Sequence, residues 1–360
     1  MRIFGAPRQY IQGEGALSCL GQIAARRAAR PLLVVDRDIH EALAPALAAA
    51  FVQPPPTLIF GGQITLAAIE HLTLQAGALL DGASVTLIYG IGGGKTLDAA
   101  KGVALRFNAD FVSVPTIASN DSPTGRAIAI YDENYKLAKI EHIPSSPEAV
   151  VVDTAVIARA PARFLRSGIG DAVAKKFEAE RAAADGSMNF FGTAPLRSAL
   201  ILADACYHTL RAHAVAGMRA AEQHVVTADF EATVEASLLM SGIAWESGGA
   251  SLSHAVVRGI ARTPGAHASL HGEHVAYGLL AQLAIEQRDD AFILDLMDFY
   301  RQIGQAITLK GLHIEDDGQA AIAQIAAWTM DGPANGNVIV SATESQIRDA
   351  INRVEKLAQA

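Results

Sequence analysis

Short apolar runs and longer amphipathic stretches alternate along the first 150 or so residues of the chain. PLLVVD (31–36), TLIF (57–60), SVTLIYG (84–90), DFVSVP (110–115) and AVVVD (149–153) are mostly continuous apolar runs, rich in β-branched residues. A strand that is apolar on both sides is covered on both sides, which predicts a parallel sheet between layers of helix. Helices are predicted over roughly 64–80 and 95–107, and in the alanine- and leucine-rich run that follows Asp36. Past about residue 160, apolar positions recur three and four apart to the C-terminus without a strand run, the pattern of amphipathic helices. Pro161 suits the opening turn of a helix, so the boundary is placed near Ala160-Pro161. The expected fold class is α/β plus all-α: a parallel-sheet nucleotide-binding domain over 1–160 and a helical metal-binding domain over 161–360. A cleft between two such domains is the natural place for an active site.

Length and composition agree with that division. A chain of 360 residues exceeds the roughly 250–300 at which a single core stops growing. With 51% hydrophobic and 18% charged residues, it is composed for packed cores and not for disorder. A formal net charge of −8 argues against nucleic acid or an anionic membrane as the partner. The two cysteines, Cys19 and Cys206, form no C-x-x-C pair, which fits a reducing cytoplasm. The opening MRIFGAPRQYIQGEG lacks the apolar core of a signal peptide. The charge-free stretch from Leu43 to Ile69 is interrupted by Pro54-Pro55-Pro56 and Gly61-Gly62, so it reads as helix, loop, strand and helix start, not as a membrane span.

The first chemical signal is YGIGGGKTLDAAK (89–101), which follows a strand and opens a helix. Gly92, Gly93 and Gly94 let the backbone approach an anion, and the amides of a helix start favour a pyrophosphate. Lys95 adds a point charge. The two commonest phosphate motifs both fail by register. A Walker A loop would need glycine at Tyr89, and the G-x-G-x-x-G fingerprint would need it at Leu97.

With that turn, three further segments, VPTIASNDSPTG (114–125), GIGDAVAKKFEA (168–179) and GEHVAYG (272–278), make the chain similar to the glycerol dehydrogenase branch of the iron-containing alcohol dehydrogenase superfamily. The likeness runs from PRQYIQG (7–13) to about residue 310. It implies a dehydroquinate synthase-like two-domain fold, NAD as cofactor, a bound zinc, and a homo-oligomer, commonly an octamer.

Taken alone, the residues leave the metal site open. Among eleven histidines, His254 and His271 stand out for small neighbours that leave room around them, and Asp171, after Gly168 and Gly170, reads as a helix N-cap. The resemblance makes these three the metal ligands. Two imidazoles and one carboxylate with an open position form a catalytic zinc arrangement. Iron-using relatives carry D-x-x-x-H; here Lys175 takes the histidine's place, and a protonated lysine repels a cation, which favours zinc on three ligands. His267 is read as cleft-lining and His274 as outside the ligand set.

The implied reaction is oxidation of glycerol, or a related vicinal diol such as 1,2-propanediol, to the hydroxyketone. The metal-bound hydroxyl is acidified and hydride passes to the nicotinamide. The resemblance gives Asp121 a substrate hydroxyl and makes His254 catalytic as well as ligating. It puts Gly92, Gly93, Gly94 and Lys95 at the pyrophosphate, and Thr116 and Ser119 around the adenosine half. Gly125, Ala127 and Tyr131 fall along the nicotinamide side. Gly125 and Ala127 replace the serine and leucine common in relatives, so their contacts are expected through backbone. Arg37 falls where relatives present an acid to the adenosine ribose; NAD is nevertheless the expected cofactor. Arg126 and Lys175 motivate a rival substrate that is phosphorylated or acidic, such as glycerol 1-phosphate. A non-catalytic dinucleotide sensor is the rival from another class.

Overall fold

The five apolar runs lie in one sheet of the computed structural model, which describes residues 1–133, 137–315, 319–331 and 341–359. The strands are β1 (Tyr10–Gly13), β2 (Pro31–Asp36), β3 (Thr57–Phe60), β4 (Leu87–Gly92), β5 (Asp110–Pro115), β6 (Ala127–Tyr131), β7 (Leu137–His142) and β8 (Ala149–Asp153). Six of them form a sheet in the order β1-β8-β5-β4-β2-β3, with every pairing parallel. β6 and β7 form a separate antiparallel hairpin. The run SVTLIYG becomes strand only from Leu87, where pairing with Pro31 of β2 begins, and it continues to Gly92.

The continuous apolar pattern has a direct cause. Leu32, Val34 and Ile88 point into one buried cluster, while Leu33, Val35, Leu87 and Tyr89 point into another on the opposite face. Both faces are covered, by helices that include Leu66–Leu80 and Gly94–Phe107 on one side and Leu20–Arg26 and His40–Ala50 on the other. β8 is buried along its whole length between β1 and β5.

Among the described residues no strand follows Asp153. The rest is helical, and its largest core joins Arg163–Ala184, Arg197–Glu222, Leu252–Arg262 and His271–Ile285 to the last helix, Glu344–Ala358. None of the described helices is long and apolar enough to cross a membrane.

β4 lies inside the sheet, so the glycine turn at its end opens on the row of strand carboxyl ends, where parallel sheets bind their ligands.

Candidate active site

The helix Arg163–Ala184 presents Asp171, Lys175 and Glu178 at four- and three-residue spacing, hence on one face, and all three are buried. The N-cap reading of Asp171 does not hold. The helix begins upstream at Arg163 and runs through Gly168 and Gly170, so Asp171 is an interior helical residue. These glycines serve close approach. A Cβ on Gly168 would stand 2.1 Å from the Ala118 carbonyl oxygen, and one on Gly272 would stand 1.8 Å from that of Ser167. The helices of Asp171 and His271 therefore meet almost backbone to backbone.

Asp171, His254 and His271 offer ligand atoms that all lie within 4.8 Å of one another. His254 stands near the start of Leu252–Arg262, and His271 opens His271–Ile285. The buried Glu178 carboxylate accepts from His254 Nδ1 at 2.8 Å and from the backbone amides of Ser251 and His254 at 3.1 and 3.2 Å. Accepting the Nδ1 proton leaves the lone pair on Nε2, which lies 3.6 Å from Asp171 Oδ1. Burial opposes ionisation of Glu178, but His254 and Lys175 hold its pKa below the usual carboxylate value. His271 is exposed as a residue, yet the protein packed around its imidazole pushes its pKa down to about 4, so the ring is neutral and able to ligate. Burial likewise works against the Asp171 carboxylate. Lys175, His271 and His254 outweigh it and hold the pKa at about 2.

The donors thus fit a divalent cation: one ionised carboxylate, two imidazoles, and a second carboxylate orienting one ring, as ligating histidines usually have. Exchanging Glu178 for glutamine should weaken zinc binding by about 10–100-fold, the usual cost of losing such a partner. Titration against a chromophoric chelator measures it, and unchanged affinity would refute the orienting role.

Lys175 shares the site. Its ammonium is 2.6 Å from Asp171 Oδ1 and 2.9 Å from Asp121 Oδ2, and 4.4 Å above the Trp245 ring. Trp245 also packs against the His254 ring, at 4.1 Å between centroids. Burial of the ammonium is overcome by Asp121 and Asp171, so the lysine pKa is raised and the charge is kept. Asp121 sits in a turn whose amide donates to Asp171 Oδ2 at 3.3 Å; burial and the Asp171 charge push its pKa up. Lys175, which motivates the rival reading of an anionic substrate, faces two carboxylates of the protein. Arg126 is also engaged: its Nε lies 3.0 Å from Glu246, its Nη2 donates to the Phe190 carbonyl at 3.1 Å, and it stacks over Phe191.

Of the expected cofactor residues, Gly92, Gly93, Gly94 and Lys95 stand at the carboxyl end of β4, and Thr116 and Ser119 follow that of β5. Gly93 caps the helix Gly94–Phe107, Lys95 is exposed on its first turn, and the Thr116 amide donates to the Gly92 carbonyl at 3.1 Å. The Ser119 carbonyl accepts from Ser167 at 2.9 Å, which ties this loop to the helix that carries Asp171. Gly125 is buried, and Ala127 and Tyr131 begin and end β6. His274 is outside the cluster, its Nε2 bound to the Ala266 carbonyl at 3.0 Å, and His267 is exposed.

Two groups of residues were not anticipated from the sequence. Glu178 is one, although its spacing from Asp171 is a helical one. The other is a clamp beneath the loop that joins β5 to β6. Buried Lys101 donates to the carbonyls of Ser122 and Ala127 at 2.8 and 3.0 Å, and Asp98 accepts from Ser122 Oγ at 2.8 Å and the Ala129 amide at 3.0 Å. An Asp-x-x-Lys pair inside an otherwise small and apolar helix is the signal that marks it.

Comparison with known proteins bears on the whole arrangement. Residues 7–154 match the family model described as iron-containing alcohol dehydrogenase. Similar sequences include a glycerol dehydrogenase of Escherichia coli O6:H1, 36% identical over 99% of this chain and 98% of the relative. A glycolaldehyde reductase of Halobacterium salinarum is 34% identical over the same shares. Among solved structures, a glycerol dehydrogenase from Schizosaccharomyces pombe superposes with a TM-score of 0.92 at 32% identity, covering 100% of this chain and 91% of the other.

Proposed function

The chain belongs to the iron-containing alcohol dehydrogenase family, in its glycerol dehydrogenase branch, and from that membership we propose that it oxidises glycerol or a related vicinal diol to the hydroxyketone with NAD and one bound zinc ion. The observation that carries this reading is the convergence of Asp171, His254 and His271, with Glu178 orienting His254. When bound, zinc supplies a Lewis acid for the substrate hydroxyl and NAD a hydride acceptor.

The chain's own residues do the positioning. Asp171, His254 and His271 would hold the metal, and Gly92, Gly93, Gly94 and Lys95 would receive the pyrophosphate. Thr116 and Ser119 belong to the adenosine half of the site, and Gly125, Ala127 and Tyr131 to the nicotinamide half. Asp121 would accept a hydroxyl of the polyol with the carboxylate edge not held by Lys175. That the sites for dinucleotide and metal lie on different parts of the chain, 1–160 and 161–360, is part of the same reading, as is a cytoplasmic homo-oligomer.

Replacing Asp121 with alanine should raise KM for glycerol by about tenfold or more, the loss of one charged hydrogen bond, while zinc content stays stoichiometric. Steady-state kinetics with metal analysis checks this, and an unchanged KM would remove Asp121 from the substrate site. The class of substrate is tested by a panel of glycerol, 1,2-propanediol, glycolaldehyde and glycerol 1-phosphate. Turnover confined to the phosphorylated compound would sink the neutral-polyol reading. The pairing of Arg126 with Glu246, and of Lys175 with Asp121 and Asp171, supports the neutral substrate, because neither cation faces open cleft.

A further inference from the structure

A cavity of about 420 Å3 opens at the carboxyl ends of β2 and β3, beside the glycine turn, and the metal site does not use it. β2 is the sheet neighbour of β4, the strand that carries the turn. In parallel nucleotide-binding sheets the phosphates sit at the glycine turn, and the end of the adjoining strand meets the adenosine ribose. The group that stands there reads the 2′ position. A free carboxylate binds the hydroxyls and repels a 2′-phosphate, whereas a guanidinium pairs with it.

The carboxylate at this strand end is turned away from that task. Asp36 Oδ2 accepts from Thr96 Oγ1 at 2.7 Å, and Oδ1 accepts from the Asp38 amide at 3.0 Å, so the side chain braces the turn between β2 and the helix of the glycine loop. Arg37 follows it, exposed and lining the cavity together with Lys95. Neither cation has an ion-pair partner among the described residues, whereas Arg27 and Arg106 of the same region pair with Asp110 and Glu141. The Arg37 guanidinium lies across Gly61: a Cβ there would stand 2.9 Å from its Cζ. Glycine at the end of β3 therefore clears the floor on which the guanidinium rests. Asp36 and Asp38 also line the cavity and balance its formal charge, but Asp36 is held by Thr96 and the Asp38 amide, so Arg37 and Lys95 are the side chains the cavity offers to an anion.

We infer that Arg37, with Lys95 beside it, forms a subsite for a 2′-phosphate, so that the chain accepts NADP(H) as well as NAD(H). The inference rests on the dinucleotide reading of the glycine turn. Equilibrium titration of the full-length protein with NAD+ and NADP+, followed by tryptophan fluorescence or calorimetry, tests it in the wild type and in Arg37→Ala. The wild type is expected to bind NADP+ within about tenfold of NAD+, consistent with an arginine–phosphate pair offsetting the desolvation of the phosphate. In Arg37→Ala, NADP+ should weaken by about tenfold or more, with NAD+ affected less than about threefold. Affinity for NAD+ that exceeds NADP+ by about 100-fold or more in the wild type would overturn the subsite, and so would a variant that weakens both alike. Binding of neither dinucleotide would overturn the reading of the glycine turn itself, and the subsite with it. Because NAD+ affinity is measured in the same variant, loss of folding cannot pass for loss of the subsite.

Discussion

Replacement of His271 with alanine is expected to strip the metal and lower turnover by about three orders of magnitude or more, with dinucleotide affinity nearly unchanged. The size follows from what would be removed. Lewis-acid assistance to a hydroxyl is worth several kcal/mol, and about 1.4 kcal/mol is a tenfold rate change. The selectivity follows from position. His271 opens a helix of the helical region, while Gly92–Gly94 and Thr116 stand at the ends of β4 and β5. Among the described residues no other imidazole joins the cluster: His274 is bound to the Ala266 carbonyl and His267 lies outside it. Metal analysis by mass spectrometry, single-turnover NADH formation and NAD+ titration measure the three quantities. A variant that kept both zinc and activity would remove His271 from the ligand set.

Replacement of Lys175 with methionine should have the largest effect on stability, and one that depends on metal. In the free protein the lysine is the cation between Asp121 and Asp171, at 2.9 and 2.6 Å. Removing one member of a buried ion pair costs about 3–5 kcal/mol, because it leaves a desolvated charge without its partner. Here it would leave two carboxylates facing each other. The metal-free variant should therefore unfold well below the wild type on heating. Zinc should restore most of the difference, since a divalent ion on Asp171 supplies the missing charge. Zinc affinity should rise by about tenfold or more in the variant, because the competing ammonium is gone. Thermal unfolding with and without zinc, beside chelator competition, reads both effects. Equal stability of the two metal-free proteins would show that the lysine is not the counter-charge of the site.

Much of this arrangement is visible in the sequence, and the parts that are not have physical reasons. The buried strands announce themselves because both faces are covered, so PLLVVD, TLIF, DFVSVP and AVVVD match β2, β3, β5 and β8 residue for residue. β1 is hidden because YIQG is four residues long, half-buried, and holds its place through pairing with β8, about 140 residues away along the chain. The hairpin of β6 and β7 escapes because LAKIEH is half polar and largely exposed, and β6 is held by tertiary contacts, among them Asp98 on the Ala129 amide. Asp171, His254 and His271 are recoverable only through family resemblance, since nothing local separates a ligating histidine from one such as His274. Glycine was the most misleading signal. Gly168 and Gly170 suggested a helix start before Asp171, whereas they answer the closeness of neighbouring backbone.

That closeness has a mechanical meaning. Where Gly168 rests on the Ala118 carbonyl, a loop after β5 touches the helix that carries Asp171 with no side chain between them. Side chains absorb small displacements by changing rotamer; two backbones in contact have no such reserve. If the sheet and the helical region rock against each other as ligands come and go, the fulcrum lies at this contact, a few residues from Asp121 on one side and Asp171 on the other. Points near a fulcrum barely move. Opening further from this contact would then leave the spacing between Asp121 and Asp171 nearly constant.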